Sequence, residues 1–331
     1  MYITNIIVVI EINLNKYIIF KSKMKILVTG GSGLVGKAIK KITSNYDHDF
    51  VFMSSKECNL IDYNETLEYF SSIKPDYVIH LAANVGGLFK NMNHKVEMLE
   101  DNLMINTNVL KCAYLSGVKN LVACLSTCIF PDNTSYPIDE TMLHNGPPHH
   151  SNDSYAYAKR LLEVQCRSYN EQYKTNYICV IPTNIYGPHD NFNLEDSHVI
   201  PGLIHQCYLA QLNETPFIVK GTGKPLRQFI YSLDLARLIL IILLDSCSHG
   251  PIILSPQEEV SISYISVLIT KEINYPGEVI FDTSYSDGQY KKTVSNNKLM
   301  KLIDDFHFTP IEEGIKQTIE WFKREYPNVR K

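Results

Sequence analysis

The chain has 331 residues, of which 45% are hydrophobic, so it is long enough to bury a sizeable core. The formal net charge is −4 at pH 7. Neither a basic stripe nor an amphipathic anchor is present, so we expect no nucleic acid and no membrane as partners. The 8 cysteines are scattered without a CxxC pair. This spacing favours reduced thiols in a cytoplasmic protein over a disulfide framework or a metal site.

Residues 1–23 differ from the rest of the chain. Their apolar run, residues 6–10, is interrupted by Glu11 and is far shorter than the ~20 residues that a membrane span needs. Neither a basic segment nor a small-residue cleavage site marks a signal peptide. Because Met24 directly precedes the first strand-like run, we expect residues 1–23 to be a dispensable leader. An ordinary extra strand is the alternative.

From Met24 onward, short β-branched runs alternate with helix-like stretches, which indicates a doubly wound parallel sheet in an α/β fold. The runs are apolar throughout, as expected of strands that are covered on both faces. Strands are predicted at 26–29, 50–53, 77–81, 120–125 and 177–181, with helices at 36–45, 64–72, 97–116 and 154–173. Beyond residue 182 the alternation loosens, and helices are predicted at 234–244, 258–271, 298–303 and 311–325.

A glycine-rich turn follows the first predicted strand and opens a helix. The glycines permit a tight turn and let the main chain approach a pyrophosphate at the positive N-terminus of the helix. In this strand–turn–helix setting the motif predicts a Rossmann-like dinucleotide site rather than a plain glycine turn. The turn has G-x-x-G-x-x-G spacing and consists of Gly30, Gly31, Ser32, Gly33, Leu34, Val35 and Gly36.

The end of the second strand indicates which dinucleotide binds. A site specific for NAD carries Asp or Glu about 20 residues after the glycines, whereas this chain has Ser54, Ser55 and Lys56. Two hydroxyls and an ammonium suit a 2′-phosphate, so we predict NADPH/NADP as the cofactor. A merely solvated Lys56 is the alternative. The segment after the third strand contains small residues and is expected to pass close to the cofactor; it begins Leu81, Ala82, Ala83.

Tyr155 and Lys159 are four residues apart and therefore share one face of a predicted helix. Positive charge beside a phenol favours the phenolate, so we expect Lys159 to lower the pKa of Tyr155. Such a pair facing a nicotinamide is a proton donor for carbonyl reduction. Lys159 is also expected to hold the nicotinamide ribose. Ser126, at the end of the fourth strand, is placed to hydrogen-bond the same carbonyl oxygen.

Cys128 indicates a second chemistry. Because side chains alternate along a strand, Ser126 and Cys128 are expected to point to one face. A thiol beside a ketone can remove a proton from the adjacent carbon, since the enolate charge spreads onto the held oxygen. Epimerisation also needs an acid on the opposite face. His198 is a candidate because histidine titrates near neutrality, although a lone histidine more often has a structural role.

Together these residues resemble the extended short-chain dehydrogenase/reductases, and most closely the GDP-L-fucose synthase family, from Met24 to the C-terminus. The most specific matching segments are 124–131, 138–141, 144–148, 182–192, 197–201 and 286–289. The resemblance implies 3,5-epimerisation and NADPH-dependent 4-keto reduction of GDP-4-dehydro-6-deoxy-D-mannose to GDP-L-fucose. It makes Cys128 the base, His198 the acid and Tyr155 the proton donor. It also implies a homodimer formed through helices 97–116 and 154–173.

The resemblance further implies a Rossmann domain at 24–182, completed by about 228–248, and a substrate-binding α/β cap at 183–227 and 249–331. Cofactor contacts are implied for Pro182, Thr183, Asn184, Ile185 and His198. Contacts with the GDP-sugar are implied for Gln206, Lys220, Arg227, Asp287 and Lys292. Two of these depart from the family pattern, which usually has a basic residue at 206 and tryptophan at 220.

Two alternative functions remain open at this point. One is another NADP-dependent sugar-nucleotide 4-reductase or epimerase of the same superfamily. A dehydratase is disfavoured, because Thr127 and Cys128 stand where that class carries an Asp-Glu pair. The other is a non-catalytic NADP-sensing protein, which is disfavoured because Tyr155 and Lys159 are both retained.

Overall fold

The computed structural model describes residues 23–245, 250–287 and 291–331. The predicted leader, apart from Lys23, and the last two residues of the 286–289 segment lie outside the described residues. Within the described ranges the strands are β1 Lys25–Thr29, β2 Asp49–Met53, β3 Tyr77–His80, β4 Asn120–Cys124, β5 Asn176–Pro182, β6 Asn184–Tyr186, β7 Phe217–Lys220, β8 Leu226–Arg227, β9 Phe229–Tyr231, β10 Ile252–Leu254, β11 Val260–Ser261 and β12 Val279–Asp282.

Helices alternate with these strands over most of the chain. They are α1 Leu34–Ile42, α2 Tyr63–Ile73, α3 Leu88–Asn93, α4 Lys95–Leu115, α5 Asp153–Tyr173, α6 Val199–Leu212, α7 Ser232–Asp245, α8 Ile262–Ile273, α9 Asn297–Leu302 and α10 Ile311–Glu325. Among the helices of the described residues, none is both long enough and apolar enough to cross a membrane.

The central element is a six-stranded parallel sheet in the order β10-β5-β4-β3-β1-β2. All of its strands except the edge strand β2 are largely buried, which explains why their sequences are apolar rather than alternating. On one face Leu27 and Leu121 pack in a cluster with residues of α4 and α5. On the other face Ile26 and Val122 pack in a cluster with residues of α1 and α7. The predicted doubly wound α/β fold is confirmed.

A third hydrophobic cluster forms the core of the smaller C-terminal part. Residues of α6, α8 and α10 surround Phe192, Phe217 and Phe322 there. Short strand pairs complete this part of the molecule: β7 with β12, and β8 with β11. The carboxyl ends of β7 and β12 lie together because the pair is parallel, and this brings the loops after Lys220 and Asp282 to the same edge.

Several predicted elements need correction. The helix predicted at 258–271 begins only at Ile262, because β11 precedes it and the Ser261 hydroxyl accepts a hydrogen bond from the Tyr264 N–H at 3.1 Å. Helix α6 was not predicted, since it is apolar on all sides and carries Pro201 in its first turn, where proline is tolerated. β10, which lies in the stretch assigned to the cap, pairs with β5 in the main sheet. The boundary at 248 is therefore too early.

Candidate active site

The glycine turn is closely packed. Gly30 has φ +69°, and a Cβ there would lie 2.9 Å from the Ala82 nitrogen. A Cβ at Gly36 would lie 2.6 Å from the Gly31 Cα. Main chain alone can therefore line this turn. Helix α1, which follows it, has neither a side-chain cap nor an acidic residue in its first turn. These features fit a dinucleotide whose pyrophosphate binds the main-chain N–H groups.

A buried chain of hydrogen bonds connects this turn to helix α5. The Thr29 hydroxyl oxygen accepts the N–H groups of Leu81 and Ala82, both at 3.2 Å. Its own proton is therefore directed to Nδ1 of His80, 2.8 Å away. The other ring nitrogen then donates to Oδ1 of Asn106 at 3.0 Å.

Asn106 Nδ2 in turn donates to the Ala158 carbonyl on α5 at 3.4 Å. Burial and the positive charge of Lys159 lower the pKa of His80 to about 3, so the ring is neutral and its tautomer is set by its neighbours. The role of His80 in this chain of hydrogen bonds was not predicted. Its signal in the sequence is a polar residue at the end of an apolar strand.

The end of β2 places Ser54, Ser55 and Lys56 next to the glycine turn, since Gly31 N donates to the Met53 carbonyl at 2.7 Å. The Ser54 main-chain N–H donates to the Glu57 carboxylate at 2.7 Å, and the Ser54 hydroxyl donates to the same oxygen. These bonds lower the pKa of Glu57. Glu57 was not considered in the sequence analysis. Its negative charge lies where a 2′-phosphate was predicted to bind.

Ser126 and Cys128 come together by a turn rather than by strand alternation. β4 ends at Cys124, and Ser126 caps a 3₁₀ turn, Thr127–Ile129, by accepting a hydrogen bond from the Cys128 N–H at 3.4 Å. The prediction that both residues continue the strand is therefore wrong, although the turn still places them side by side. Burial raises the pKa of the Cys128 thiol, while the charge of Lys292 and the Ser126 hydrogen bond oppose this.

Tyr155 and Lys159 share one face of α5 as predicted. The Lys159 ammonium is 2% exposed, donates to the Cys124 carbonyl at 2.9 Å and lies 5.8 Å from the centre of the Tyr155 ring. Burial raises the pKa of Tyr155 well above 10, and the thiols of Cys128 and Cys124 add to this rise. The structure thus gives the opposite of the expected lowering of the Tyr155 pKa, because burial dominates it. The phenol stays protonated, as a proton donor must.

Lys292 reaches this site through an ordered segment. The Ile138 N–H donates to the Thr293 carbonyl at 2.9 Å, and the Ser295 N–H donates to the Ile138 carbonyl at 2.7 Å. Ile138, in the 138–141 segment, thus holds the chain on either side of Val294. Burial and the nearby charge of Arg227 lower the pKa of Lys292, whereas Cys128 raises it. Lys292 thus lies near a second cation, Arg227, and near the Cys128 thiol, which forms a site suited to an anion.

His198 lies at the N-terminus of α6 and is exposed. Desolvation by neighbouring residues lowers its pKa, and the charge of Asp196 opposes this. The Asp196 carboxylate accepts the Gly87 N–H at 2.7 Å. The loop of His198 is therefore tied to the segment that follows β3.

Comparisons with known proteins agree with this geometry. The model of the NAD dependent epimerase/dehydratase family matches residues 26–253. The GDP-L-fucose synthase of Dictyostelium discoideum is 55% identical over 315 residues, covering 94% of this chain and 98% of that protein. The chain belongs to this family and, within it, to the GDP-L-fucose synthases. The resemblance found in the sequence is thereby confirmed.

Two further members of the family are similar in sequence or structure. The probable GDP-L-fucose synthase of Drosophila melanogaster is 49% identical, with 93% of this chain and 99% of that protein covered. The crystal structure of a Naegleria fowleri GDP-L-fucose synthetase bound to NADP has a TM-score of 0.89 and 49% identity, and covers 93% of this chain and 95% of that one. The similarity therefore extends over both the sheet and the cap.

The residues with which the synthase family is expected to contact a GDP-sugar lie mainly on the cap. Asp287 accepts hydrogen bonds from the Thr222 N–H and hydroxyl, each at 2.6 Å. These bonds fix the loop that follows Lys220. The Lys220 ammonium lies 4.9 Å from the centre of the Tyr285 ring. Tyr285 was missed by sequence analysis. It provides an aromatic face beside the position where the family usually has tryptophan.

The remaining predicted contacts lie at the junction of β5 and β6 and within α6. Thr183 and Asn184 follow β5, with the Thr183 N–H donating to the Leu254 carbonyl at 3.2 Å and Asn184 Nδ2 donating to the Gln228 carbonyl at 2.9 Å. Pro182 ends β5 and Ile185 lies in β6. Gln206 lies within α6 and is half-buried.

Proposed function

We propose that this protein converts GDP-4-dehydro-6-deoxy-D-mannose to GDP-L-fucose by epimerising C3 and C5 and then reducing the C4 ketone with NADPH. The observation that carries the proposal is the grouping of Ser126, Cys128, Tyr155 and Lys159 at the carboxyl end of β4. The glycine turn that fits a dinucleotide lies two strands away, where β1 ends. Ligands of open parallel sheets bind at this edge.

In the proposed epimerisation, Cys128 removes a proton from C3 and later from C5, since both carbons are adjacent to the C4 ketone. The negative charge that develops on the C4 oxygen is stabilised by the hydroxyls of Ser126 and Tyr155. His198 donates a different proton to the opposite face of each carbon, and proton exchange with solvent restores the thiolate and the imidazolium between the two rounds. The neighbouring charge of Lys292 favours the thiolate form of Cys128, which supports its role as the base.

In the proposed reduction, bound NADPH supplies the hydride for C4. Tyr155 gives its proton to the C4 oxygen, and its raised pKa means that the phenol carries that proton throughout the neutral range. Lys159 is proposed to hold the nicotinamide ribose and to stabilise the phenolate that remains. Its anchoring to the Cys124 carbonyl at 2.9 Å supports a fixed position for this charge.

Binding of the GDP-sugar is proposed to use both parts of the molecule. Arg227 lies close enough to Lys292 to lower the pKa of that lysine, and a diphosphate bound between the two cations would offset this repulsion. Lys220 and Tyr285 are proposed to contact the nucleotide, together with Gln206. Asp287 is proposed to act by shaping the loop, since Thr222 already uses both of its oxygens.

The division into a Rossmann domain and a cap remains a proposal, with the first unit extended to include β10. A homodimer is likewise proposed. α4 and α5 pack together, and several apolar side chains on their outer faces are exposed although most of the core is not. They are Met104, Leu115, Tyr157, Leu161 and Tyr173. We also place the protein in the cytoplasm, because the described cysteines are free thiols.

The test is incubation of the protein with the 4-keto sugar nucleotide and NADPH in D₂O. We expect NADPH oxidation, deuterium at C3 and C5, and GDP-L-fucose as the product seen by NMR. Absence of both oxidation and deuterium incorporation contradicts the proposal. Oxidation that yields a product with unchanged C3 and C5 would instead assign a simple 4-reductase. NADH in place of NADPH serves as the control for the cofactor.

A further inference from the structure

Arg160 follows Lys159 directly on α5 and is only 7% exposed. Its Nε donates to the Ile129 carbonyl at 2.5 Å, and its Nη1 donates to the Gly146 carbonyl at 2.7 Å. Ile129 is the last residue of the turn that bears Cys128. The guanidinium therefore hydrogen-bonds the main chain one residue after Cys128, the proposed base.

This cation is held without a carboxylate. Among the described residues Arg160 forms no ion pair, and its buried Nη2 has no hydrogen-bond partner. The guanidinium lies 5.6 Å from the centre of the Tyr157 ring, and burial lowers its pKa. A buried charge bonded to neutral carbonyls is unfavourable by comparison with an apolar side chain of similar size. Stabilisation of the fold therefore does not explain why an arginine occupies position 160.

The two carbonyls that Arg160 joins belong to segments that sequence analysis found to be specific. Gly146 lies in 144–148, for which the proposed mechanism has no use. This segment packs against the thiol turn: a Cβ on Gly146 would lie 3.4 Å from the Cβ of Pro131, and the Asp132 N–H donates to the Pro147 carbonyl at 3.0 Å. Arg160 therefore connects the 144–148 segment to the turn that contains Cys128.

Lys159 and Arg160 act on the two ends of one short segment. Lys159 donates to the carbonyl of Cys124, where β4 ends, and Arg160 donates to the carbonyl of Ile129, where the turn ends. Between these two anchors lie Ser126 and Cys128. A single helix thus carries the phenol used in reduction and also sets the main-chain position of the thiol.

We propose that Arg160 is a positioning residue for Cys128, which fixes the Thr127–Ile129 turn so that the thiol reaches the carbon-bound protons, and that it serves epimerisation rather than hydride transfer. The inference rests on the proposed function. It predicts that loss of the guanidinium separates the two activities, because the Tyr155 pair has its own anchors on α5 and β4.

The experiment compares Arg160→Met and Arg160→Lys in two assays. The first is deuterium incorporation at C3 and C5 of the 4-keto sugar nucleotide. The second is oxidation of GDP-L-fucose by NADP, the reverse of the reduction step, which requires no proton removal by the thiol. For Arg160→Met we expect incorporation to fall about 10-fold to 100-fold, as for other misplaced catalytic groups. The oxidation rate should stay within about threefold, a change of less than about 1 kcal/mol in the barrier, because Tyr155 and Lys159 keep their own anchors.

Arg160→Lys should recover part of the incorporation rate, since an ammonium can bond one of the two carbonyls but not both. The matched control is Arg167→Met, because Arg167 lies on the same helix, is half exposed and pairs with Glu163 and Glu171. That variant should leave both assays unchanged. Equal loss of both activities in the two Arg160 variants, or full incorporation by Arg160→Met, overturns the proposal. If Arg160→Met does not fold, Arg160→Lys alone is the test. A lower ratio of deuterium incorporation to GDP-L-fucose oxidation than in the wild type supports the proposal, and an unchanged ratio overturns it.

If the wild-type protein shows neither incorporation nor oxidation, the proposed function itself fails, and this outcome is distinct from any result on the variants. A wild-type protein active in both assays, combined with a variant that loses both in parallel, rejects only the role of Arg160.

Discussion

The nicotinamide side and the thiol side of the candidate site are built differently. On the nicotinamide side, Gly30 and the Tyr155–Lys159 pair lie on a strand–turn–helix unit and on one face of a long helix. On the thiol side, Cys128 lies on a 3₁₀ turn, and Lys292 reaches it from a segment more than 150 residues later in the chain. The proton donor, Tyr155, is therefore positioned by a regular helix. The base, Cys128, is positioned by irregular segments and by hydrogen bonds between residues distant in sequence.

Replacing the phenol is the strongest way to break this comparison. Tyr155→Phe removes the proton donor, so NADPH oxidation should fall about 10²-fold to 10⁴-fold, the usual contribution of a general acid. Deuterium incorporation at C3 and C5 should persist at a lower rate, because Ser126 still holds the ketone oxygen. Parallel loss of incorporation and NADPH oxidation would show that the two sides are not separable.

The opposite change removes the thiol. Cys128→Ser should lower deuterium incorporation by about 10²-fold or more, because a serine hydroxyl is a much weaker base. The reverse oxidation of GDP-L-fucose should be largely retained. Unchanged deuterium incorporation in this variant would remove Cys128 from the mechanism.

The dependence on pH sharpens the same comparison in the unaltered protein. Burial raises the pKa of Cys128 above its usual 9.0, so the thiolate fraction is small at neutral pH and grows as the pH rises. Loss of deuterium from a substrate labelled at C3 needs the thiolate but no proton from His198, and should therefore increase by about tenfold per pH unit between pH 6 and 8. Reduction of a pre-epimerised ketone by NADPH should vary less, since Tyr155 keeps its proton over this range. A falling rate of C3 deuterium loss contradicts the role of the thiolate.

Lys292 provides a more limited change on the thiol side. Lys292→Met removes the largest influence that favours the thiolate, so the rise of C3 deuterium loss should move to higher pH. At neutral pH this rate should fall about tenfold, because less of the thiol is ionised. Rates measured at saturating substrate separate this effect from weaker binding of the diphosphate. An unmoved pH profile would leave Lys292 with a role in binding alone.

The smallest expected effect is on the nicotinamide side, where Glu57 accepts hydrogen bonds from Ser54. Glu57→Gln should lower the KM for NADPH by about threefold, in keeping with exposed charge pairs, and leave the KM for NADH unchanged. Glu68→Gln, which alters an exposed carboxylate on α2, is the control. A higher KM for NADPH would mean that Glu57 helps to hold Ser54 in place for the phosphate.

Much of the nicotinamide side could be read from local sequence. Gly30, Gly31 and Gly36 are required by contacts with neighbouring main chain, and Tyr155 and Lys159 share a face because of helical periodicity. The protonation of Tyr155 could not be read this way. Its pKa depends on how deeply α5 packs against β4, and burial there reverses the effect expected from the nearby lysine.

The thiol side was recognised from its residues but not from its geometry. Strand alternation was expected to place Cys128 beside Ser126. Instead β4 ends at Cys124, and Ser126 caps the turn that contains Cys128. His80, Glu57, Tyr285 and Arg160 were not singled out. Each acts through partners that are distant in sequence or in an irregular segment, so no periodic pattern marks it.

The sequence by itself determined the alternation of strands and helices, the glycine turn and the family to which the chain belongs, because these depend on local spacing and on residue types that few other arrangements need. Only the tertiary structure decided how Arg160 joins the thiol turn to Gly146 and how Lys292 comes to lie near Cys128. Those contacts arise where separate loops meet above the sheet, and their energies depend on burial, which no single segment contains.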